Sequence, residues 1–414
     1  MRAAYAVVTW VAFGMHALTC QAGDRVELHG ELDLRLIDSD ATPSFLEGGY
    51  GRQRFDEDHD GLRLGRAFLT ARVRLSDTVT ANAVVGTYGD HDKNPIDLTE
   101  AYVDWRPFPQ GAWRWRLRGG LFYAPISLEN RGPGWTNVYT VSNSAISTWI
   151  GEELRTVGLE GEARWRGQAL GRADEIALVG GVYGWNDPAG VLIASRGWAL
   201  HDRQTAAFGH LPAPGSMGGD YKMPPLELFH EVDDRVGYYA GVAWRHAEWL
   251  ELRALHYDNR GDPVAVRDDS YAWTTRFNVV GARIEPDEHW TLIAQALDGV
   301  TVVGGSGAPF PRNDWDLRAA FALASFAWGP NRISARYDRF ETRQHHGFGI
   351  PEYDDTGHAA TVAYLRDFGE HWQVGAEWLR IHSTFGDREE LGLPETIDET
   401  QTQLVVRYRV KYQR

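Results

Sequence analysis

The chain has 414 residues and a formal net charge of −15, and its mean hydropathy is −0.40. An acidic excess of that size excludes nucleic acid as a partner, because the phosphate backbone repels it, and the negative hydropathy excludes a bundle of membrane-spanning helices. Cys20 is the only cysteine, so disulfides cannot stabilise the fold and backbone pairing and burial must do so.

Residues 1–22 read as a secretory signal. Arg2 supplies a short positive region, residues 3–18 are almost wholly apolar, and Cys20 and Ala22 occupy the −3 and −1 positions of a small-x-small cleavage site. A membrane anchor is the first alternative, but the run is shorter than the roughly 20 residues a bilayer needs. A lipidated Cys20 is the second, with Ala17-Leu18-Thr19 a poor lipidation signal. The expected organisation is a signal over 1–22 and one domain over 23–414.

From there the chain alternates with a period of two, the mark of half-buried strands. Val26–Ile37 places Leu28, Leu32, Leu34 and Leu36 on one face and Glu27, Glu31, Asp33 and Arg35 on the other. Trp113–Phe122 does the same with Trp113, Trp115, Leu117 and Leu121 against Arg114, Arg116 and Arg118. The period recurs in 62–75, 79–88, 98–105, 154–165, 235–245, 250–259, 290–298, 315–326, 332–340, 358–366, 372–380 and 404–410, and less cleanly in 175–184 and 272–285. That predicts sixteen strands, most of them longer than the five or six residues of an ordinary soluble strand. Tilted strands that cross a membrane run about 9–11 residues.

The connections alternate in length. Short ones lie at 76–78, 107–112, 166–174, 247–249, 286–289, 328–331 and 367–371, and long ones at 38–60, 89–97, 124–153, 185–234, 260–271, 301–314, 341–355 and 383–399. Trp105, Phe108, Trp113, Trp165, Trp249, Trp290, Phe326, Trp328, Phe368 and Trp372 gather beside the short turns, as indole rings do at a membrane interface. Hydrocarbon satisfies no backbone group, so the sheet must close. The expected fold is all-β: a transmembrane, antiparallel, up-and-down barrel of about sixteen strands, with short turns and both termini on one side and a polar interior. The acidic runs at 56–60, 233–234, 352–355 and 387–390 fall in its long loops, with Asp56, Asp58 and Asp60 exposed.

Residues 66–75, then Glu100-Ala101-Tyr102-Val103-Asp104, then the segment from Gly119-Gly120-Leu121-Phe122-Tyr123-Ala124-Pro125 to Leu128-Glu129-Asn130 resemble the phosphate-selective porin O/P family. The likeness covers about a quarter of the chain, from Gly65 to Glu162. It implies a porin of the bacterial outer membrane, in contact with lipid and lipopolysaccharide, possible as a homotrimer, with a third loop folded inward to narrow the lumen. Anion-selective members carry lysines at the constriction, whereas this chain has Lys93, Lys222 and Lys411 alone. Its last residues, Val410 to Arg414, lack the usual terminal phenylalanine; Tyr412 is the substitute.

Loop 124–153 offers Asn130, Arg131, Asn137, Tyr139, Ser142, Asn143 and Ser144 as a polar surface for the passage. Opposite it the sequence places Arg114, Arg116 and Arg118, spaced roughly 7 Å apart on one strand face. With Arg72, Arg74, Arg131 and Arg164 they are the candidate pore-lining or anion-binding residues, and Arg253, Arg318, Arg336, Arg407 and Arg409 extend the lumen set. A guanidinium row lets anions step along a wall. The alternative is pairing with Glu27, Glu31, Asp33, Glu100, Asp104, Glu160, Glu162 and Glu377, which gives a general porin. His201-Asp202, His210 and His345-His346 sit in loops without nucleophile or metal spacing, so neither catalysis nor a cofactor is expected. The apolar patch at 198–211 in the longest loop is compatible with a lid, a subunit contact or an adhesive surface. The expected function is a water-filled channel for small polar or anionic solutes, with phosphate a possible permeant; a plugged barrel whose loops bind partners is the alternative.

Overall fold

Val26–Ser39 (β1) pairs along one edge with Gly61–Arg74 (β2) and along the other with Thr396–Gln413 (β16), so first and last strands join and the sheet has no edge. Between them run Val79–Thr87 (β3), Asp97–Trp105 (β4), Trp113–Phe122 (β5), Thr156–Arg166 (β6), Asp174–Gly184 (β7), Gly237–His246 (β8), Leu250–Asp258 (β9), Thr274–Ile284 (β10), Trp290–Val303 (β11), Asn313–Trp328 (β12), Asn331–His346 (β13), Asp355–Phe368 (β14) and Trp372–Phe385 (β15). Each pairs antiparallel with its sequence neighbours, giving a closed barrel of sixteen strands. The structure, a computed structural model, describes residues 25–90, 96–212, 225–309, 311–346 and 354–413. The expected signal, Lys93, Lys222 and much of 352–355 lie outside them. Three short two-stranded sheets decorate the long loops.

Trp115, Leu117, Val242 and Val406 point outward, between 42% and 50% exposed. The aromatic residues of the short turns are exposed as well, Trp105, Phe108, Trp113, Trp249, Trp290, Trp328, Phe368 and Trp372 among them. This outer band is what a bilayer requires: apolar side chains against lipid and ring systems at its boundary. Arg318, expected in the lumen, stands outside instead, 53% exposed, and pairs with Asp298 and Asp316. It lies ten residues above Trp328, roughly 3.3 Å of strand per residue, which lifts it to the upper edge of the apolar band.

The interior also departs from expectation. Part of the inward face of β11–β15 is apolar, with Leu297, Leu317, Phe321, Leu323, Phe340, Leu379 and Ile381 buried in one cluster with loop residues. Strands apolar on both faces meet lipid on one side and, on the other, protein segments that exclude water. The polar residues of the same inward face, among them Gln295, Arg336, Asp338 and Glu377, are buried too.

Register gives a direct prediction. Single cysteines at Leu117 and Val242 should resist a membrane-impermeant thiol reagent in reconstituted protein, while cysteines at Arg116 and Arg245 should react. Equal labelling of both sets would overturn the assignment, because a slip of one residue inverts every side chain. Arg407 is unsuitable for the inward set: it is buried against Asp33 and Gln373 rather than wetted.

Candidate functional site: the interior and its loops

After β5 the chain leaves the wall as loop L3 (123–155) and bonds to strands far around the barrel. Gln295 on β11 accepts from Leu128 N at 3.2 Å and donates to the Ile126 carbonyl at 3.1 Å. On β13, Asp338 accepts from Ala145 N at 3.1 Å. On β15, Glu377 accepts from Val141 N at 2.6 Å and Ser142 N at 3.0 Å. Arg336 on β13 donates to Thr140 Oγ1 (2.9 Å), the Ser142 carbonyl (2.8 Å) and the Asn143 carbonyl (2.8 Å). Within the loop, Glu129 accepts from Ser144 N and Oγ and from Asn137 Nδ2. Ser144 then caps the helix Ala145–Glu153 (α1) by accepting from Ser147 N. The polar residues of L3 are therefore spent on fastening the loop: Asn130, Asn137, Tyr139, Ser142, Asn143 and Ser144 are all buried. Arg131 is the exception, half-buried and bonded to Glu251 at 2.6 Å.

Loop L4 (185–236) packs against L3. Its short helix Val191–Arg196 (α2) begins where Glu153 accepts from Gly190 N and Leu192 N at 2.8 and 2.7 Å. Arg196 forks onto Glu152, with His201 Nε2 3.1 Å from the same carboxylate. Burial alone would raise the Glu152 carboxyl, but Arg196 and His201 overcome it and hold it at about 2. Trp198 is 1% exposed and donates from Nε1 to the Glu341 carbonyl. The 198–206 part of the apolar patch is thus inside the molecule, which removes it as an adhesive surface; Phe208 remains exposed. Loop L1 (40–60) adds Arg52, which donates to Asp355 and to the Arg196 and Trp198 carbonyls. Asp56, expected in the open, is 2% exposed because it accepts from Ser44 N and from Asp58 and His59 N.

The candidate arginines separate by partner. Arg116 bonds Asp104 at 2.6 Å and lies 3.7 Å from Glu160. Arg118 bonds Glu160 at 2.9 Å and donates to the Tyr123 carbonyl, its guanidinium 3.8 Å from the Phe122 ring centre. Arg164 bridges Glu162 and Glu175 at 2.8 and 2.7 Å. Arg72 is 3.7 Å from Glu27. Arg114 donates to the Gly111 and Trp113 carbonyls near the turn, and Arg74 is exposed at the turn end of β2. The 114–118 row is not opposite L3: it is the wall from which L3 departs. Arg116, Arg164, Arg245 and Arg253 with Glu160, Glu162 and Glu175 line a pocket open to solvent that Pro125 of L3 borders. Arginine and glutamate alternate around it, so its field is mixed in sign.

Two groupings were not legible in the sequence. Arg35, Arg54 and Arg66 converge on Asp202 of L4. The other is acidic: Asp187, Glu231 and Asp233 bring one carboxylate oxygen each within 4.8 Å of one another. Burial, with the two neighbouring charges, pushes Asp187 up to about 7. Among the described residues, these three are placed to hold a cation. Of the histidines considered for catalysis, His201 stacks on Phe45, His210 contacts Glu227 and His345 contacts Asp316 on the outer face.

No protein-family model matches the chain, and no curated protein matches it. Solved structures do. The outer membrane channel DcaP of Acinetobacter baumannii matches with a TM-score of 0.51 and 12% identity, over 93% of this chain and 97% of that one. OmpF of Salmonella typhi, solved with daunomycin, matches at 0.51 and 10%, over 94% and 98%. OmpT of Vibrio cholerae, an outer membrane protein in a trimer form, matches at 0.50 and 10%, over 93% and 99%. At such identities the likeness is one of fold, the closed β-barrel of the outer membrane.

Proposed function

We propose that the chain is a channel of the bacterial outer membrane through which small polar or anionic solutes, phosphate among them, diffuse passively. The observation that carries this reading is the conjunction of an apolar outer band with a cavity walled by paired arginines and glutamates inside a closed barrel. Water and ions are stabilised by such a wall, whereas lipid and backbone edges are not. Of the seven candidate arginines, Arg116 and Arg164 line the pocket, and because Arg72, Arg116, Arg118, Arg131 and Arg164 all face carboxylates the channel discriminates weakly between anions and cations. Residues 1–22 are the export signal. A homotrimer fits the outer faces of β1–β7, which stay apolar to the loop end, at Leu34, Leu36 and Leu62 for example, while the upper outer face of β12–β15 carries charge. Lipid and lipopolysaccharide cover the latter.

One observation favours the second reading, a barrel plugged by its own loops. L1, L3 and L4 form a shared apolar cluster with the inner wall, including Phe45, Trp149 and Trp198. Conductance in planar bilayers separates the two. Discrete steps with weak ion selectivity are expected, and R114Q/R116Q/R118Q should shift the reversal potential towards cations, since it leaves Asp104 and Glu160 without their counter-charges. Silence from folded protein would establish the plugged barrel.

A further inference from the structure

Three guanidiniums from the β1–β2 wall and L1 surround one carboxylate, and that carboxylate is the chain's own. Arg35 meets Asp202 fork to fork, Nη1 to Oδ1 at 3.0 Å and Nη2 to Oδ2. Arg66 Nη1 adds a bond to Oδ2 at 3.0 Å, and Arg54 Nη1 lies 3.7 Å from Oδ1. All four side chains are at most 3% exposed. The arginines are held from behind: Asp33 binds Arg35 at 2.9 Å, Glu31 binds Arg66 at 2.9 Å, and Asp90 binds Arg54 at 2.9 Å. Gln403 accepts from Arg35 as well. This is a preorganised receptor for a planar oxyanion, with a bidentate fork of the kind that suits carboxylate and phosphate.

Asp202 reaches the receptor from L4, remote in sequence from both wall strands. It is therefore a ligand on a tether. A tethered group outcompetes a free one through its high effective concentration, but it can be displaced once the free ligand is abundant or the tether is altered. L4 is also held near this point by Arg203 Nε on Asp90 at 2.8 Å, by Gln204 Nε2 on the Gly134 carbonyl at 2.9 Å, and by backbone bonds such as Leu200 N to the Arg52 carbonyl and Thr205 N to the Gly151 carbonyl.

We propose that Arg35, Arg54 and Arg66 form a binding site for a small oxyanion, carboxylate or phosphate, that Asp202 occupies as a built-in competitor. An oxyanion that replaces the Asp202 side chain releases L4 from the β1–β2 wall. The site itself stands without the channel reading; only the release of L4 as a gate rests on it.

Chemical rescue tests the site. D202G removes the carboxylate and leaves three buried guanidiniums short of a counter-charge. Its folded barrel, followed as the heat-modifiable band on unheated gels, should melt well below wild type. Formate, acetate or phosphate should restore most of the lost midpoint, saturably, where chloride at equal ionic strength does not. Wild type, its site filled by the tethered carboxylate, should gain far less at the same oxyanion concentration. The arm that rescues at lowest concentration identifies the preferred oxyanion. If D202G does not fold unaided, its refolding yield with and without formate is the same measurement. Rescue by none of the oxyanions, or equally by chloride, overturns the site. Conductance of D202N then tests the gate: severalfold more open time than wild type supports it. An unchanged open time in a conducting barrel overturns the gate and leaves the site standing, whereas failure of the channel reading would show as silence in wild type and mutant alike.

Discussion

R336L should release L3 from the far wall and raise single-channel conductance severalfold, with frequent closures as the freed loop moves. Arg336 is fully buried, lies 2.7 Å from Asp338 and 3.6 Å from Glu129, and holds the L3 backbone at Ser142 and Asn143. Leucine removes those bonds and leaves Asp338 and Glu129 buried without their guanidinium. Breaking a buried pair from one side costs about 3–5 kcal/mol. The strand pairs of β13 with β12 and β14 are backbone bonds and survive, so the barrel should stay heat-modifiable while the loop detaches. R336K retains the charge but not the planar fork, and should fall between the two. An unchanged conductance in folded R336L would mean that L3 does not limit the passage.

R196L should loosen L4 by a similar amount, about 3–5 kcal/mol, because it strands the Glu152 carboxylate in a dry site. The readout is hydrogen exchange of the 186–206 amides, which should quicken by orders of magnitude, since each 1.4 kcal/mol is about tenfold. The effect should depend on pH in a defined direction. In wild type the Glu152 carboxyl, held at about 2, lies below its unfolded value. Its contribution is complete above the ordinary carboxylate range and is lost only as pH falls through about 2, so L4 should stay protected in mild acid. Without Arg196 the burial that opposes ionisation is less fully offset and the carboxyl rises. R196L should then be least destabilised at low pH, where Glu152 is neutral, and most at pH 8. A pH-independent difference between the two proteins would show that Arg196 acts through packing on the Phe45 ring rather than through charge.

Which ions permeate depends on the charges that the inner wall leaves unpaired. The arginine arrangement bears on it directly. A row such as Arg114, Arg116 and Arg118 reads the same in sequence whether its charges are free or paired. Pairing depends on what the neighbouring strands bring into register, and here β4 and β6 bring Asp104, Glu160 and Glu162.

What the sequence determined by itself was the barrel. Alternation of period two, strand length, the succession of short and long connections and the tryptophans beside the short ones are local properties, each imposed by a bilayer that admits only a closed sheet with an apolar exterior. Even the faces of β1 and β5 followed, because one face of each is largely apolar and the other charged. The same rule misplaced Arg318, since a strand that rises beyond the bilayer no longer needs an apolar outer face. It also failed to distinguish inside from outside where both faces of β11 and β12 are apolar. Only the tertiary structure decided how the interior is filled. Whether Ser142 lines a passage or fastens a loop, and whether Asp202 is a loop acid or the occupant of an arginine site, depends on contacts between residues more than a hundred positions apart, such as Asp202 with Arg35 and Ser142 with Glu377. Such contacts leave no periodicity in the chain, because they are set by where a loop of irregular backbone comes to rest against a wall that many other strands have built.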